Sequence, residues 1–313
     1  MIRVGVVGVG HLGQHHARLF AAIDGVELVG VCDTNRARAE EIAAKHGGQP
    51  FGDVRELLGR VDAVTIAAPT VAHVELALPF LDAGVATLVE KPIASSVADA
   101  DRLIEAAEKR GTILATGHTE RFNPAVATAM TLIREPRFVE IHRLGTFPER
   151  SLDIDVIFDL MIHDLDLLLT IVKSPVAAIE AVGVNVLTPK ADIANARLRF
   201  ESGCIANVTA SRISRERVRK ARFFQRDSYV SIDYAAQELE GFRLIQPSTG
   251  AQSQGERPII QGGKLPITNE EPLRRELEDF VGAVRDKRAP GVTGRAGREA
   301  LALATRVAEK MET

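Results

Sequence analysis

A glycine-rich turn between two apolar runs constrains this chain more than any other feature. Residues 2–7 are a short valine-rich run with the character of a strand buried on both faces. The run leads into Gly8-Val9-Gly10-His11-Leu12-Gly13, then a helix-period stretch over 14–22, then a second apolar run over 26–32 that ends at Asp33. In that order the glycines have separate tasks. Gly8 permits the tight turn, Gly10 lets the backbone approach a pyrophosphate, and Gly13 lets helix and strand pack closely. His11 and Leu12 lie where the first-turn amides and the positive end of the helix dipole face the phosphates. Asp33 follows Gly13 by twenty residues, at the strand end where a carboxylate accepts hydrogen bonds from an adenosine ribose. That spacing favours NAD, while Arg36, close enough to receive a 2′-phosphate, keeps NADP as the alternative. The competing reading is a glycine turn in an α/β domain that binds no nucleotide.

Strand-like runs over 63–67, 86–89 and 113–116 alternate with helix-period stretches over 71–83 and 97–110. This order predicts a Rossmann-type, doubly wound parallel sheet with ligands beyond the carboxyl ends of its strands. Two polar clusters fall at those ends: Pro69-Thr70 with His73 just beyond, and Glu90-Lys91-Pro92. A proline biases the residue before it toward extended backbone. Lys91 would then stand in the crevice where a nicotinamide is expected, able to bind or polarise a substrate hydroxyl. An exposed turn lysine paired with Glu90 is the alternative.

Beyond Gly117-His118 the chain passes through Glu120-Arg121-Phe122-Asn123-Pro124 into a helix ending near 134, and reads extended over 137–147. Residues 153–172, DIDVIFDLMIHDLDLLLTIV, have helical length. Asp155, Asp159, His163 and Asp166 step by four, four and three and share one face, with Asp164 off it. Charged helix faces ordinarily point to water, but the surrounding Ile, Leu, Met and Phe leave little room for a wide solvated face. The polar seam is therefore expected to line a cavity. An imidazole with a pKa of about 6.5 can take a hydroxyl proton, with Asp159 one turn away to orient it. A metal site of His163, Asp159 and either His118 or His142 is the alternative. The chain has no HExxH or CxxC pattern to support it, and no metal is expected.

β-rich runs over 179–186, 194–200, 204–210, 218–225, 229–233 and 237–244 suggest an antiparallel meander, followed by a mobile loop over 251–265. Helices are expected over 270–285 and 295–310. The predicted organisation is a Rossmann domain over 1–118 and an α/β domain with a large, mostly antiparallel sheet over 119–313. The C-terminal helices over 270–312 are free to pack back on the first domain.

Charge is balanced overall, with 39 basic and 42 acidic residues, so no global field draws the chain to nucleic acid or an anionic membrane. One cluster breaks the balance: seven Arg and Lys residues over 212–226. Arg215, Arg217 and Arg219 alternate, as side chains on one strand face do. They read either as a solvated edge or as an anion site for a substrate phosphate. With no Trp and two Tyr, ring stacking on a base or sugar has little support. Two cysteines exclude a disulfide framework. No apolar run is long enough to span a bilayer and no signal peptide is evident, so a cytoplasmic protein is expected.

Gly8 to Gly13, Asp33, Pro69-Thr70…His73, Glu90-Lys91-Pro92 and the Asp159–His163 helix together resemble the Gfo/Idh/MocA family, which includes glucose–fructose oxidoreductase and inositol dehydrogenase. The resemblance covers residues 2–164 by motif and the later β-rich stretch by order. It implies NAD-dependent oxidation of a sugar hydroxyl, with His163 as base, Lys91 as hydroxyl-binding partner and Asp159 as substrate anchor. Members differ in whether Lys or His takes the proton. It also implies cofactor contacts from Pro69, Thr70, His73, Glu90 and Lys91, and substrate contacts from Arg121 and Asn123. A homodimer or homotetramer joined through one sheet face is implied as well. The strings over 117–124 and 158–166 resemble a subgroup that oxidises the 3-hydroxyl of UDP-N-acetylglucosamine, although inositol and free-sugar dehydrogenases share most of these motifs. A non-catalytic NAD or sugar-nucleotide sensor is the reading from another class, and the intact Lys91, Asp159 and His163 set argues against it. An enzyme reducing a cyclic imine or tetrapyrrole would leave the Asp-His helix face unexplained.

Overall fold

The apolar runs of the N-terminal third pair as β1 (Ile2–Val7), β2 (Val26–Cys32), β3 (Gln49–Phe51), β4 (Ala63–Ile66), β5 (Ala86–Glu90) and β6 (Leu114–Gly117). All are parallel, in spatial order β3-β2-β1-β4-β5-β6. β4 and β5 are buried along their whole length, which is why they read as unbroken apolar runs. The connecting helices are α1 (Gly13–Phe20), α2 (Arg36–His46), α3 (His73–Asp82) and α4 (Val97–Arg110). β1 lies between β2 and β4, so the winding reverses at its carboxyl end, where the glycine turn sits. α2 and β3 are additions to the predicted elements. The buried side of α2 is Ala39, Ile42 and Ala43, too small an apolar stripe to announce itself. The computed structural model describes residues 1–147, 154–246 and 258–311.

The second half contains α5 (Pro124–Leu132), β7 (Phe138–Leu144), a π-turn (Ile157–Met161) that runs into α6 (Ile162–Val172), and β8 (Val176–Val184) to β10 (Ile205–Ser211) by way of β9 (Ile193–Phe200). β11 (Val218–Phe224), β12 (Ser228–Asp233), β13 (Glu238–Ile245) and β14 (Ile259–Leu265) follow. They form one eight-stranded sheet in the order β14-β13-β12-β11-β7-β10-β9-β8, antiparallel except for the central β7–β10 pair. β7 alternates, with Val139, Ile141 and Arg143 buried and Phe138, Glu140, His142 and Leu144 on the more open face. The expected loop over 251–265 is corrected for its second part, since Ile259–Leu265 pairs with β13. Residues 251–257 of that loop, and residue 153 of the expected helix, lie outside the described residues.

The chain divides into two compact units, Met1–Phe122 with Glu271–Ala302 and Asn123–Glu270 with Leu303–Thr313. The first therefore closes four residues later than the expected boundary and takes back a C-terminal segment. That segment holds α7 (Pro272–Asp286) and the start of α8 (Gly294–Met311). Leu277, Phe280 and Val281 of α7 share a core with Val4, Val6, Phe20 and Ile42. Thr119 donates to Glu276 at 3.0 Å, and Arg298 reaches Asp101 at 2.9 Å.

The basic cluster is not one surface. Arg212 is buried against Asp192, Lys220 and Arg222 pair with Asp233 and Glu140, and Arg215 and Arg217 precede β11. The expected projection of Arg215, Arg217 and Arg219 from a single strand is corrected accordingly. Both cysteines are buried, and burial pushes each thiol up to about 11, with Asp53, Asp33 and Glu56 adding to the effect at Cys32. Neither is expected to react with an aromatic disulfide reagent at neutral pH until the protein is unfolded. Rapid native labelling of either thiol would contradict this burial.

Candidate active site

The glycine turn is built by close approach. Gly8 has φ +81°, and a Cβ there would lie 2.8 Å from the backbone of Ala67 and Ala68 beyond β4. A Cβ on Gly13 would collide with the Gly8 carbonyl, whereas one on Gly10 would meet no atom within 4 Å. The turn is thus tight beneath and open above. Leu12 is the N-cap of α1, His11 is exposed beside it, and the first turn of α1 carries no acid. These features fit a dinucleotide pyrophosphate at the helix terminus. Asp33 accepts from the Val9 and Asn35 N–H groups, both at 2.9 Å, so it fastens the turn as well as presenting a carboxylate at the end of β2. Arg36 is directed to Glu40, while Arg38 holds the turn by donating to the Val9 carbonyl at 2.9 Å.

At the end of β5, Glu90 is buried and Lys91 half-buried, and the Lys91–Pro92 bond is cis. Glu90 Oε1 lies 3.1 Å from Nε2 of His16, a fully buried residue of α1. A carboxylate only accepts, so Nε2 carries the hydrogen. Glu90 Oε2 accepts the Lys91 N–H at 3.2 Å. Gly117 at the end of β6 makes room for this carboxyl group, because a Cβ there would lie 2.7 Å from Glu90 Cδ. Beyond Lys91, the carbonyl of Pro92 faces His73 Nδ1 at 3.0 Å, and the carbonyl of Ala68 faces Nε2 at 2.9 Å. Burial holds the His73 imidazole below its usual range, against those carbonyls and Glu90. His73 and Glu90, expected as cofactor contacts, both support the Lys91 turn through these bonds. Pro69 is exposed and Thr70 half-buried at the end of β4.

In the second unit the expected seam is interrupted. Ile162 N–H bonds to the Ile157 carbonyl, the wide closure of a π-turn, a device frequent at functional sites. Asp159 in this turn and His163 in α6 are half-buried, while Ile157, Met161, Ile162 and Leu165 are buried. Asp155 accepts the Ile157 N–H at 3.0 Å, and Asp166 is buried. Asp164, expected off the seam, has a buried cationic partner. It meets buried Arg143 through two bonds of 2.8 Å, and the guanidinium lies 5.4 Å from the Tyr234 ring centre.

Asn123 is buried, caps α5 by accepting the Ala125 N–H at 3.1 Å, and donates to the Tyr234 carbonyl at 3.0 Å. Asn123, expected as a substrate contact, thus has a structural role at the start of α5. Arg121 is half-buried in the short turn Thr119–Phe122 of the first unit. Lys91 and Arg121 belong to the first unit, Asp159 and His163 to the second. Four residues escaped the pattern reading: His16, Arg38, Arg143 and Gly117. Of these, His16 had a signal, since a polar ring three residues after Gly13 falls on the core side of α1 with Ala17 and Phe20. Among the described residues, no group of three or more His, Cys, Asp or Glu side chains could hold a metal ion, and no helix is long and apolar enough to cross a membrane.

Comparison with known proteins agrees with this layout. Residues 2–118 match the Gfo/Idh/MocA oxidoreductase family, NAD-binding Rossmann fold, and residues 133–226 match the family's C-terminal domain. The UDP-N-acetylglucosamine 3-dehydrogenase of Acidithiobacillus ferrooxidans is 40% identical over 312 residues, 99% of this chain and 97% of that protein. Its solved structure superposes with a TM-score of 0.91 at 39% identity, covering 99% of this chain and 98% of that one. The myo-inositol 2-dehydrogenase of Thermotoga maritima is 30% identical over 230 residues, 67% of this chain and 69% of that protein.

Proposed function

The chain belongs to the Gfo/Idh/MocA family of NAD-dependent oxidoreductases, and on that basis we propose that it oxidises the 3-hydroxyl of UDP-N-acetylglucosamine to a ketone. The observation that carries the substrate is the likeness to the Acidithiobacillus enzyme, which runs almost end to end, whereas the inositol relative aligns over a shorter stretch. NAD, held by the Gly8–Gly13 turn and Asp33, supplies the hydride acceptor when bound. His163 takes the hydroxyl proton as the adjoining C–H bond gives up its hydride. Lys91 donates to the hydroxyl oxygen and stabilises the negative charge that grows there. Asp159 and Arg121 anchor the sugar. With both thiols buried, the proposal places the enzyme in a reducing cytoplasm.

A panel assay of NAD reduction tests this reading. UDP-N-acetylglucosamine is expected to give NADH and a keto sugar nucleotide. Turnover of inositols or free hexoses alone would overturn the nucleotide-sugar substrate. NAD binding without turnover of any sugar would favour a sensor. The proposal includes a homodimer or homotetramer formed through the open face of the second sheet. There, the rings of Phe138, Phe224, Tyr229 and Phe242 run in sequence at centre distances of 5.6, 5.0 and 6.1 Å. Light scattering at the mass of a single chain would exclude that assembly.

A further inference from the structure

We propose that His16 and Glu90 are a buried positioning pair that sets where Lys91 stands at the end of β5. Three elements converge on one carboxyl group. α1 brings the His16 ring to Glu90 Oε1 at 3.1 Å, β6 ends in a glycine that leaves space for the carboxyl group, and β5 itself continues into the Lys91 N–H on Oε2. His16 and Glu90 are 74 residues apart, with side chains 0% and 6% exposed. A leucine at position 16 would fill the core side of α1 without any polar group to satisfy, and an alanine at 117 would suit a strand better than glycine. Both positions instead serve the Glu90 carboxyl group.

The consequence falls on Lys91. His73 holds the far end of the triplet through the Pro92 carbonyl, so the Lys91 backbone is fastened on both sides by buried imidazoles. Without His16, the Glu90 carboxyl group loses its partner from α1 and no longer holds the Lys91 N–H in place. The lysine is then misplaced, while the Gly8–Gly13 turn, which neither side chain touches through a described hydrogen bond, keeps its shape. Displacement of a reacting group by about 1 Å can lower turnover up to about a hundredfold. The catalytic meaning of this pair rests on the proposed function, in which Lys91 holds the substrate oxygen. The placement of Lys91 itself does not.

The test uses His16→Leu, His16→Gln, Glu90→Gln and Gly117→Ala in the full chain, with two readouts. One is the rate at which Lys91 is acetylated by trace acetic anhydride, scored by peptide mass spectrometry against the other lysines. The other is kcat, with NAD affinity measured by calorimetry. His16→Leu and Gly117→Ala are expected to move Lys91 labelling outside the scatter of the other lysines and to lower kcat about ten- to a hundredfold, with NAD affinity unchanged. His16→Gln, which keeps a donor near the Nε2 position, is expected to retain most of the wild-type labelling and turnover. Wild-type labelling of Lys91 in His16→Leu and Glu90→Gln would overturn the proposal. So would equal damage from Gln and Leu, or a loss of NAD affinity that parallels kcat. Should His16→Leu not fold, Gly117→Ala and Glu90→Gln decide by the same labelling. An enzyme inactive on every sugar would end the functional reading and leave the labelling result standing on its own.

Discussion

Replacing His163 by alanine is expected to lower kcat at least about a hundredfold while leaving NAD affinity nearly unchanged. The scale is that of a positioned general base. The side chain is half-buried directly after the π-turn, at the start of a helix whose neighbouring residues are buried, so the backbone that carries it should survive the change. Lys91→Ala is expected to produce a comparable loss. The two variants separate in their pH dependence. If His163 takes the proton, the acid limb of the kcat profile disappears in His163→Ala and persists in Lys91→Ala, and free imidazole restores part of the turnover only in the former. The reverse pattern would assign the proton to Lys91. Wild-type turnover in both variants would remove the two residues from the mechanism.

The second large effect is on stability. Asp192 and Arg212 are buried together, 2.9 Å apart, and the carboxylate also accepts the N–H groups of Val186, Leu187 and Thr188. Arg212 donates in turn to the Ile154 carbonyl at 2.7 Å, and Val156, which opens the π-turn, bonds to the Ala191 carbonyl. Arg212→Met leaves a carboxylate buried without its cation and is expected to destabilise the second unit by about 3–5 kcal/mol, because breaking one side of a buried pair costs more than the pair contributes. At about 2–4 °C per kcal/mol, that is a fall in Tm on the order of 10 °C by calorimetry. A change under about 2 °C would refute the assignment on the same scale.

Burial opposes the charge on Asp192, yet the Leu187 and Thr188 N–H groups, with Arg212 and the Thr188 hydroxyl, hold its carboxyl well below the usual carboxylate range. Its stabilising contribution is therefore complete above the unfolded-state pKa of about 3.9 and is lost only as pH falls from there toward the lower folded value. Asp192→Asn should flatten this acid limb of the stability curve.

What was legible in the chain was whatever sits close together along it. The glycine turn, Asp33 and the Glu90-Lys91-Pro92 strand end could be placed because a βαβ unit spaces them within a few turns of local structure. The π-turn was not legible, since counting by fours treats Asp155 to Asp166 as one continuous stripe, and a single widened turn reassigns its members. Asp164 then becomes the buried partner of Arg143, twenty-one residues away. β14 was hidden because Gln261-Gly262-Gly263 reads as loop, and only its pairing with β13 makes it a strand. The structural role of Asn123 was likewise not legible, since its amide caps a helix and ties down Tyr234, which lies over a hundred residues further along.

The return of α7 to the first unit has a consequence for biosynthesis. All six strands of the dinucleotide-binding sheet have been synthesised by residue 117, but Leu277, Phe280 and Val281 belong to the core behind β1 and β2. At ordinary elongation rates that missing wall arrives on the order of ten seconds or more after the last strand. The nascent sheet must wait with an apolar flank exposed while the second unit is synthesised in between. Such a chain has high contact order and a window in which chaperone binding competes with misassembly. A fragment cut after residue 122 should therefore aggregate, and fusing residues 271–302 behind it should rescue its folding.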